Sequence, residues 1–196
     1  MNFLAHLYLS GNDAEIMVGN FLGDFVRGRN LLERYGKNIA TGIELHRTID
    51  EFTDTHPIVA QSKNRLREKY RHYAAVIVDI FYDHFLAKNW SEYSSELLSD
   101  FADKSYQVLQ QYLDIFPKDA QYMLPYMING NWLVNYAKPE GIQRALSGMA
   151  RRTKFNSRMD ESVDDMVLYY EEFSNEFKIF FPQLKKKADE FIQRHV

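Results

Sequence analysis

Four stretches place histidine or aspartate inside strongly apolar sequence: Phe3-Leu-Ala-His6, Gly19-Asn-Phe-Leu-Gly-Asp24, Leu45-His-Arg-Thr-Ile-Asp50 and Val78-Asp-Ile-Phe-Tyr-Asp-His84. An ionisable group is costly to bury unless it is paired, hydrogen-bonded or bound to metal. His46 and Asp50 are four residues apart and so neighbours on a helix. That spacing suits a metal-ligand or acid/base pair, and equally a carboxylate that only orients an imidazole. Asn20 and Asp24 share it, and so do Asp79 and Asp83. Two carboxylates on one face of an apolar helix raise each other's pKa unless a cation sits between them. His6, Asp24, His46, Asp50, Asp79, Asp83 and His84 are therefore the ligand candidates. A set of imidazoles and carboxylates suits Mn²⁺, Mg²⁺ or Fe²⁺, and the absence of cysteine excludes thiolate ligands and disulfides. Such an ion lowers the pKa of bound water and stabilises charge on a phosphoryl oxygen, so the chemistry expected is phosphoester hydrolysis. No Gly-x-Ser-x-Gly and no nucleotide-type Gly-rich loop occurs, which speaks against serine hydrolases, kinases and GTPases. The paired Glu-x-x-His motifs of ferritin-like oxidases are missing too.

The elements that must carry these residues read as helices. Ile43, Leu45, Ile49 and Phe52 mark an apolar stripe around His46 and Asp50, ending near Thr53, because Asp54-Thr-His-Pro57 holds capping residues and a proline suited to a new first turn. His56 reads as a cap. Asp13 is placed to cap a helix from about Ala14, in which Gly19 and Gly23 would let another backbone approach closely. Tyr73 to Trp90 reads as a fully buried helix interrupted only by Asp79, Asp83 and His84. Further on, a helix through Leu97, Leu98 and Phe101 precedes an aromatic-rich helix over Asp119 to Tyr136. Pro139 starts a helix ending at Arg151 and Arg152, which can stabilise its C-terminus or meet phosphate. Residues 160 to 195 read as one or two amphipathic helices interrupted at Pro182. No strand alternation or repeat appears. The expectation is an all-α single domain over residues 1–196, a bundle of about eight helices with the site in 1–90 and helices from 91–196 completing the core.

The 196-residue chain is 45% hydrophobic and 26% charged with a net charge of −3, the profile of a globular protein with no global pull toward nucleic acid. Its apolar N-terminus lacks a basic region and is too short for a membrane span, so the chain reads as cytoplasmic. One stretch is locally basic: between Ile58 and His72 lie Lys63, Arg65, Arg67, Lys69 and Arg71 against Glu68 alone. Such a run is either a solvated face or a receiver for an acidic partner.

Several motifs in fixed order resemble the acyl carrier protein phosphodiesterase family: Met1-Asn-Phe-Leu-Ala-His6, Gly19-Asn-Phe-Leu-Gly-Asp-Phe-Val-Arg-Gly28, Leu45-His-Arg-Thr-Ile-Asp50 with Thr53-Asp54, Asp79-x-x-x-Asp-His-Phe-Leu86 with Trp90, and Gly148-Met-Ala-x-Arg152. That family resembles the HD-domain metal-dependent phosphohydrolases, which are all-helical. The resemblance implies hydrolysis of the phosphodiester joining 4′-phosphopantetheine to a serine of acyl carrier protein, with Mn²⁺ as the metal and the ligand candidates above as its site. The adjacent His-Asp doublet of the wider superfamily is absent, since Arg47 follows His46 and the one neighbouring pair is the reversed Asp83-His84. On this reading Asp24 or another carboxylate positions the attacking water, Arg27 or Arg47 neutralises phosphoryl charge, and His84 or His46 protonates the leaving serine oxygen. The basic stretch Lys63 to Arg71 becomes the docking surface for acidic acyl carrier protein. Two rivals differ in class: a hydrolase of nucleotides or other small phosphoesters, and a non-enzymatic helical binding protein whose buried polar groups satisfy one another.

Overall fold

The helical periodicity of the sequence is realised throughout the computed structural model, which describes residues 1–195. Twelve α-helical segments occur among them and no strand. Four segments are short: α1 (Phe3–Tyr8), α3 (Leu31–Tyr35), α9 (Trp132–Asn135) and α11 (Ser162–Leu168). The eight longer ones are α2 (Ala14–Leu22), α4 (Lys37–Thr55), α5 (Pro57–Tyr70), α6 (Ala74–Lys88), α7 (Leu98–Gln111), α8 (Lys118–Asn129), α10 (Pro139–Ala150) and α12 (Tyr170–His195). The all-α bundle expected from the sequence is the fold observed.

Helix α6 is apolar on nearly every side, broken by Asp79, Asp83 and His84, and lies at the centre, packed by α1, α5, α10 and α12. A helix with no polar face is stable only when every side is covered. α12 covers one side with Phe173, Phe177, Phe180, Phe181 and Leu184, all fully buried. It runs unbroken through Pro182, where an interruption was expected. An interior proline costs about 3 kcal/mol, and each of those buried side chains contributes roughly 1.5–3 kcal/mol, so packing overrides the break. The aromatic stretch expected to run from Asp119 to Tyr136 is instead divided into α8 and α9 by Gly130 and by Asn131, which has φ 41°.

Caps set the helix starts that matter for the site. Asp13 Oδ1 accepts from the Glu15 and Ile16 N–H groups at 2.9 and 3.0 Å, starting α2. The Ile58 N–H donates to His56 Nδ1 at 3.3 Å, with Pro57 in the first turn of α5.

The α2–α4 pair is the most intimate in the fold. A Cβ on Gly19 would lie 2.1 Å from the Ile39 carbonyl oxygen and 2.8 Å from Gly42 Cα, so the two backbones touch there. One turn further, a Cβ on Gly23 would lie 2.1 Å from the His46 ring. The imidazole of α4 is thus laid directly on the end of α2. Among the described residues no helix is long and apolar enough to cross a membrane.

Candidate metal centre

His6 from α1 and His46 from α4 stack face to face, ring centroids 4.0 Å apart and planes inclined by 17°. Both are buried. Asn20, fully buried on α2, holds the pair. His6 Nδ1 donates to the Asn20 side-chain oxygen at 2.8 Å, and His46 Nδ1 donates to the Asn20 backbone carbonyl at 2.8 Å. The Asn20 amide nitrogen donates to the His6 carbonyl at 2.8 Å and to Ser10 Oγ at 3.0 Å, which fixes its oxygen toward the ring. Because both acceptors are oxygens without a proton, each Nδ1 carries a hydrogen; His6 Nε2 then presents a lone pair, whereas His46 Nε2, between two carboxylates, presents one only when its proton is displaced. This outer arrangement is the one that orients metal-ligating histidines.

The two Nε2 atoms meet Asp50. Asp50 Oδ1 is 3.2 Å from His6 Nε2, and Asp50 Oδ2 is 3.0 Å from His46 Nε2. Asp24 Oδ1 approaches His46 Nε2 at 3.4 Å from the open side. One ligand atom each from His6, His46 and Asp50 lie within 4.8 Å of one another. His6 Nε2 is buried and left without a hydrogen-bond partner, its nearest charged oxygen being Asp50 Oδ1 at 3.2 Å. Two imidazole nitrogens and a carboxylate converging on one point, one nitrogen orphaned, fit a divalent cation with nitrogen and oxygen ligands.

The electrostatics agree. Burial pushes the His6 pKa down, reinforced by the neighbouring His46 charge, so His6 is neutral with its lone pair available. Burial opposes charge on His46 as well, but the hydrogen bonds it donates to Asp24 and Asp50 outweigh this and raise its pKa to about 9. Asp50 is held far below the usual carboxylate range: burial acts against this, and the His46 and His6 contacts prevail. Asp24 is lowered in the same manner, by His46. The site thus favours positive charge at the point where the ligand atoms converge. A cavity of about 450 Å³ reaches it at Asp24 and Asp50, lined also by Asp54 and Asp79 and, from the α8–α10 region, by Met123, Trp132, Met149 and Arg152.

The remaining candidates fall elsewhere. Asp79 lines the cavity, but its Oδ1 bonds the Met1 amino nitrogen at 3.0 Å. Asp83, expected as a ligand, is fully buried and accepts from the N–H groups of Leu4 at 2.8 Å, Asn2 at 3.3 Å and Ala5 at 3.4 Å. It caps α1 from α6, so backbone donors answer its charge where a cation was inferred from the Asp79–Asp83 spacing. His84 donates from Nδ1 to the Tyr136 carbonyl at 2.8 Å, and its Nε2 lies 3.4 Å from the Tyr170 hydroxyl. It ties α6 to the segment after α9 and lies outside the ligand cluster. Arg47 bonds Glu44 at 2.7 Å and the Gly28 carbonyl at 3.0 Å, pinning the loop after Asp24. Arg27 is exposed on that loop and does not line the cavity.

The basic helix α5 is also largely spoken for. Arg65 makes a bidentate pair with Glu176 at 2.7 and 2.8 Å, Lys69 bonds Asp165 at 2.9 Å and Lys63 bonds Asp54 at 3.2 Å. Of the five expected docking residues, Arg67 and Arg71 are the exposed ones without such an ion pair among the described residues. Two features escaped sequence reasoning. Asn20 as the common anchor of both histidines was signalled only by an amide sitting in an apolar helix. The cavity wall from α8 to α10 was signalled only by the Gly148-to-Arg152 motif.

A profile of the acyl carrier protein phosphodiesterase family matches residues 1–184. The chain belongs to this family of phosphodiester hydrolases. It is 35% identical to an acyl carrier protein phosphodiesterase of Photorhabdus laumondii over 190 residues, 96% of each chain. It is 33% identical to one of Yersinia enterocolitica over 191 residues, 97% of this chain and 98% of the relative. An Escherichia coli enzyme of the same name is 33% identical over 192 residues, 96% of this chain and 97% of the relative. No solved structure is a significant match.

Proposed function

We propose that the protein hydrolyses the phosphodiester between 4′-phosphopantetheine and a serine of acyl carrier protein, releasing 4′-phosphopantetheine and the apo-protein. Family membership and the names of the relatives support the reaction. The observation that carries it is the convergence of His6 Nε2, His46 Nε2 and Asp50 on one point of an acid-lined cavity. These residues would hold a divalent cation, Mn²⁺ by family resemblance, with Asp24 as a further oxygen ligand or partner of the water. When bound, the ion supplies acidification of water and withdrawal of charge from phosphoryl oxygen. The kinship to HD-domain phosphohydrolases belongs to the same proposal.

The chain's own residues divide the rest of the work. Asp24, more than half exposed at the open side of the cluster, accepts a hydrogen bond from the attacking water and aims its oxygen at phosphorus. As the new P–O bond forms, the P–O bond to the serine breaks and that oxygen needs a proton. His84 is too far embedded to give it, and His46 is occupied by the cluster. Asp79 stands on the cavity wall, its pKa raised by burial against the pull of the Met1 amino group it bonds, and together with that ammonium is the group placed to relay the proton. Arg152, which lines the same cavity, pairs with the non-bridging phosphoryl oxygens.

A fully satisfied polar network, which a non-enzymatic binding protein would contain, is hard to reconcile with the orphaned His6 Nε2. The small-phosphoester reading gains from the internal pairing of α5, which leaves that helix with little charge for docking. A substrate comparison separates them: purified protein with Mn²⁺ is offered holo-acyl carrier protein, nucleotides and bis(p-nitrophenyl) phosphate. Release of 4′-phosphopantetheine in preference to small-ester turnover, abolished by EDTA, supports the proposal. Turnover of small esters with holo-protein untouched refutes it.

A further inference from the structure

A second cavity, of about 560 Å³, lies between α8, α9 and α10. It is not a separate site. Met123, Trp132, Met149 and Arg152 line both this cavity and the acid-lined one beside His6, His46 and Asp50, so the two share a wall and meet at Arg152. Their charges are opposite. Asp24, Asp50, Asp54 and Asp79 face the first; Arg144, Arg151 and Arg152 line the second, and no carboxylate does. The rest of the second lining is mainly aromatic and apolar, with Tyr122, Tyr126, Trp132 and Met149 among it and the Asn135 amide as a further polar group. The volume falls within the ~300–1,000 Å³ usual for small-molecule sites, which combine apolar walls with a few placed polar groups.

We propose that this cavity receives the pantetheine arm of the substrate, a reading that rests on the phosphodiesterase assignment above. The arm is uncharged, with two amides, a gem-dimethyl group and methylenes, and it continues from the phosphate on the side away from the serine. With phosphate held at the junction by Arg152 and the scissile bond facing Asp24 and Asp50, the arm has one direction that avoids the carboxylates. Along it, Trp132 and the two tyrosines offer faces for the apolar portions, and Arg144 and Arg151 offer donors for the amide carbonyls. The cavity thus selects the pantetheinyl side of the diester, a specificity that the metal centre alone does not provide.

Gly148 gives a clean test. It lines the cavity within α10, and a Cβ there would meet no atom within 4 Å. Gly148→Leu therefore fills the space while replacing a poor helix former by a good one. The turnover ratio of holo-acyl carrier protein to bis(p-nitrophenyl) phosphate, both with Mn²⁺, is measured for wild type and variant. In parallel, pantetheine without its phosphate is titrated while tryptophan fluorescence is followed; Trp132 reports from the cavity, and the chain's other tryptophan, Trp90, is buried elsewhere. The proposal expects the ratio to fall at least tenfold in Gly148→Leu and a saturable pantetheine response in wild type that the variant loses. Tyr126→Ser, at an exposed rim position, is expected to weaken the same response. An unchanged ratio in a folded variant overturns the proposal. If wild type leaves holo-protein intact, the phosphodiesterase reading fails by itself. The pantetheine titration then decides the cavity: a saturable response lost in the variant sustains it, and no response overturns it.

Discussion

Replacement of Asn20 by leucine tests whether the histidine pair is organised as a ligand set. Its side chain makes three hydrogen bonds, to His6 Nδ1, the His6 carbonyl and Ser10 Oγ. Ser10 keeps a bond to the His6 carbonyl at 2.8 Å, so the loss falls most heavily on His6. Orphaning a buried donor costs about 1–3 kcal/mol, and leaving a second group unpaired costs as much again, about 2–6 kcal/mol in all. For a chain of this size, at about 2–4 °C per kcal/mol, that is a fall in Tm of roughly 4–24 °C, set against the total stability of about 5–15 kcal/mol typical of domains. His46 keeps its bond to the Asn20 backbone carbonyl, so one ligand stays oriented and one does not. Loss of an outer partner of this kind weakens metal binding by about 10–100-fold. Asn20→Asp retains an acceptor for His6 Nδ1 but no amide donor, so it is expected to lose stability and keep Mn²⁺ affinity within a few-fold. Urea unfolding and calorimetric Mn²⁺ titration of both variants provide the data. If Asn20→Leu binds Mn²⁺ as wild type does while its stability falls, the carboxamide is structural only and the ligand argument from His6 is wrong.

Other outcomes follow from the same geometry. Gly23→Ala, whose new Cβ would sit 2.1 Å from the His46 ring, is expected to displace that imidazole and weaken Mn²⁺ binding at least tenfold, read by the same titration. Arg65→Ala leaves Glu176 buried without its bidentate partner and is expected to cost about 3–5 kcal/mol without raising KM for holo-acyl carrier protein; a rise in KM at unchanged stability would restore α5 as a docking surface. Burial pushes Asp83 up to about 7, against the nearby Met1 amino group and three backbone N–H bonds, from an ordinary value of 3.8. The folded state then holds a proton that the unfolded chain has released, so unfolding free energy declines as pH rises from about 4 to about 7 and levels off above. Asp83→Asn should flatten that slope in urea titrations at about pH 5 and about pH 7.5.

What the sequence could show was what is local along the chain. The i,i+4 pair His46–Asp50, the Asp13 and His56 caps, the Gly19 and Gly23 close approach and the almost wholly apolar α6 are all set by neighbours within a turn or two. The errors came from partners far away in sequence. Asp83 looks like half of a repelling pair until the α1 backbone, 78 to 81 residues distant, is seen to donate to it. The basic run on α5 looks like an open face until Glu176 and Asp165, from the last helices, take up Arg65 and Lys69. His84 similarly finds Tyr136, 52 residues on. Helix breaks show the same limit: α12 passes through Pro182 because its phenylalanines bury on α6 and its neighbours, while α8 stops at Gly130 and Asn131, which the aromatic pattern around them conceals.

The most direct measurement is the intact mass of holo-acyl carrier protein after incubation with the purified protein and Mn²⁺, beside His6→Ala, Asp24→Ala and EDTA controls. Loss of the 4′-phosphopantetheine mass is expected with wild type and Mn²⁺ only, with the mass retained in all three controls and the variants folded by circular dichroism. Removal of the group at wild-type rate by His6→Ala, or in EDTA, would contradict this expectation.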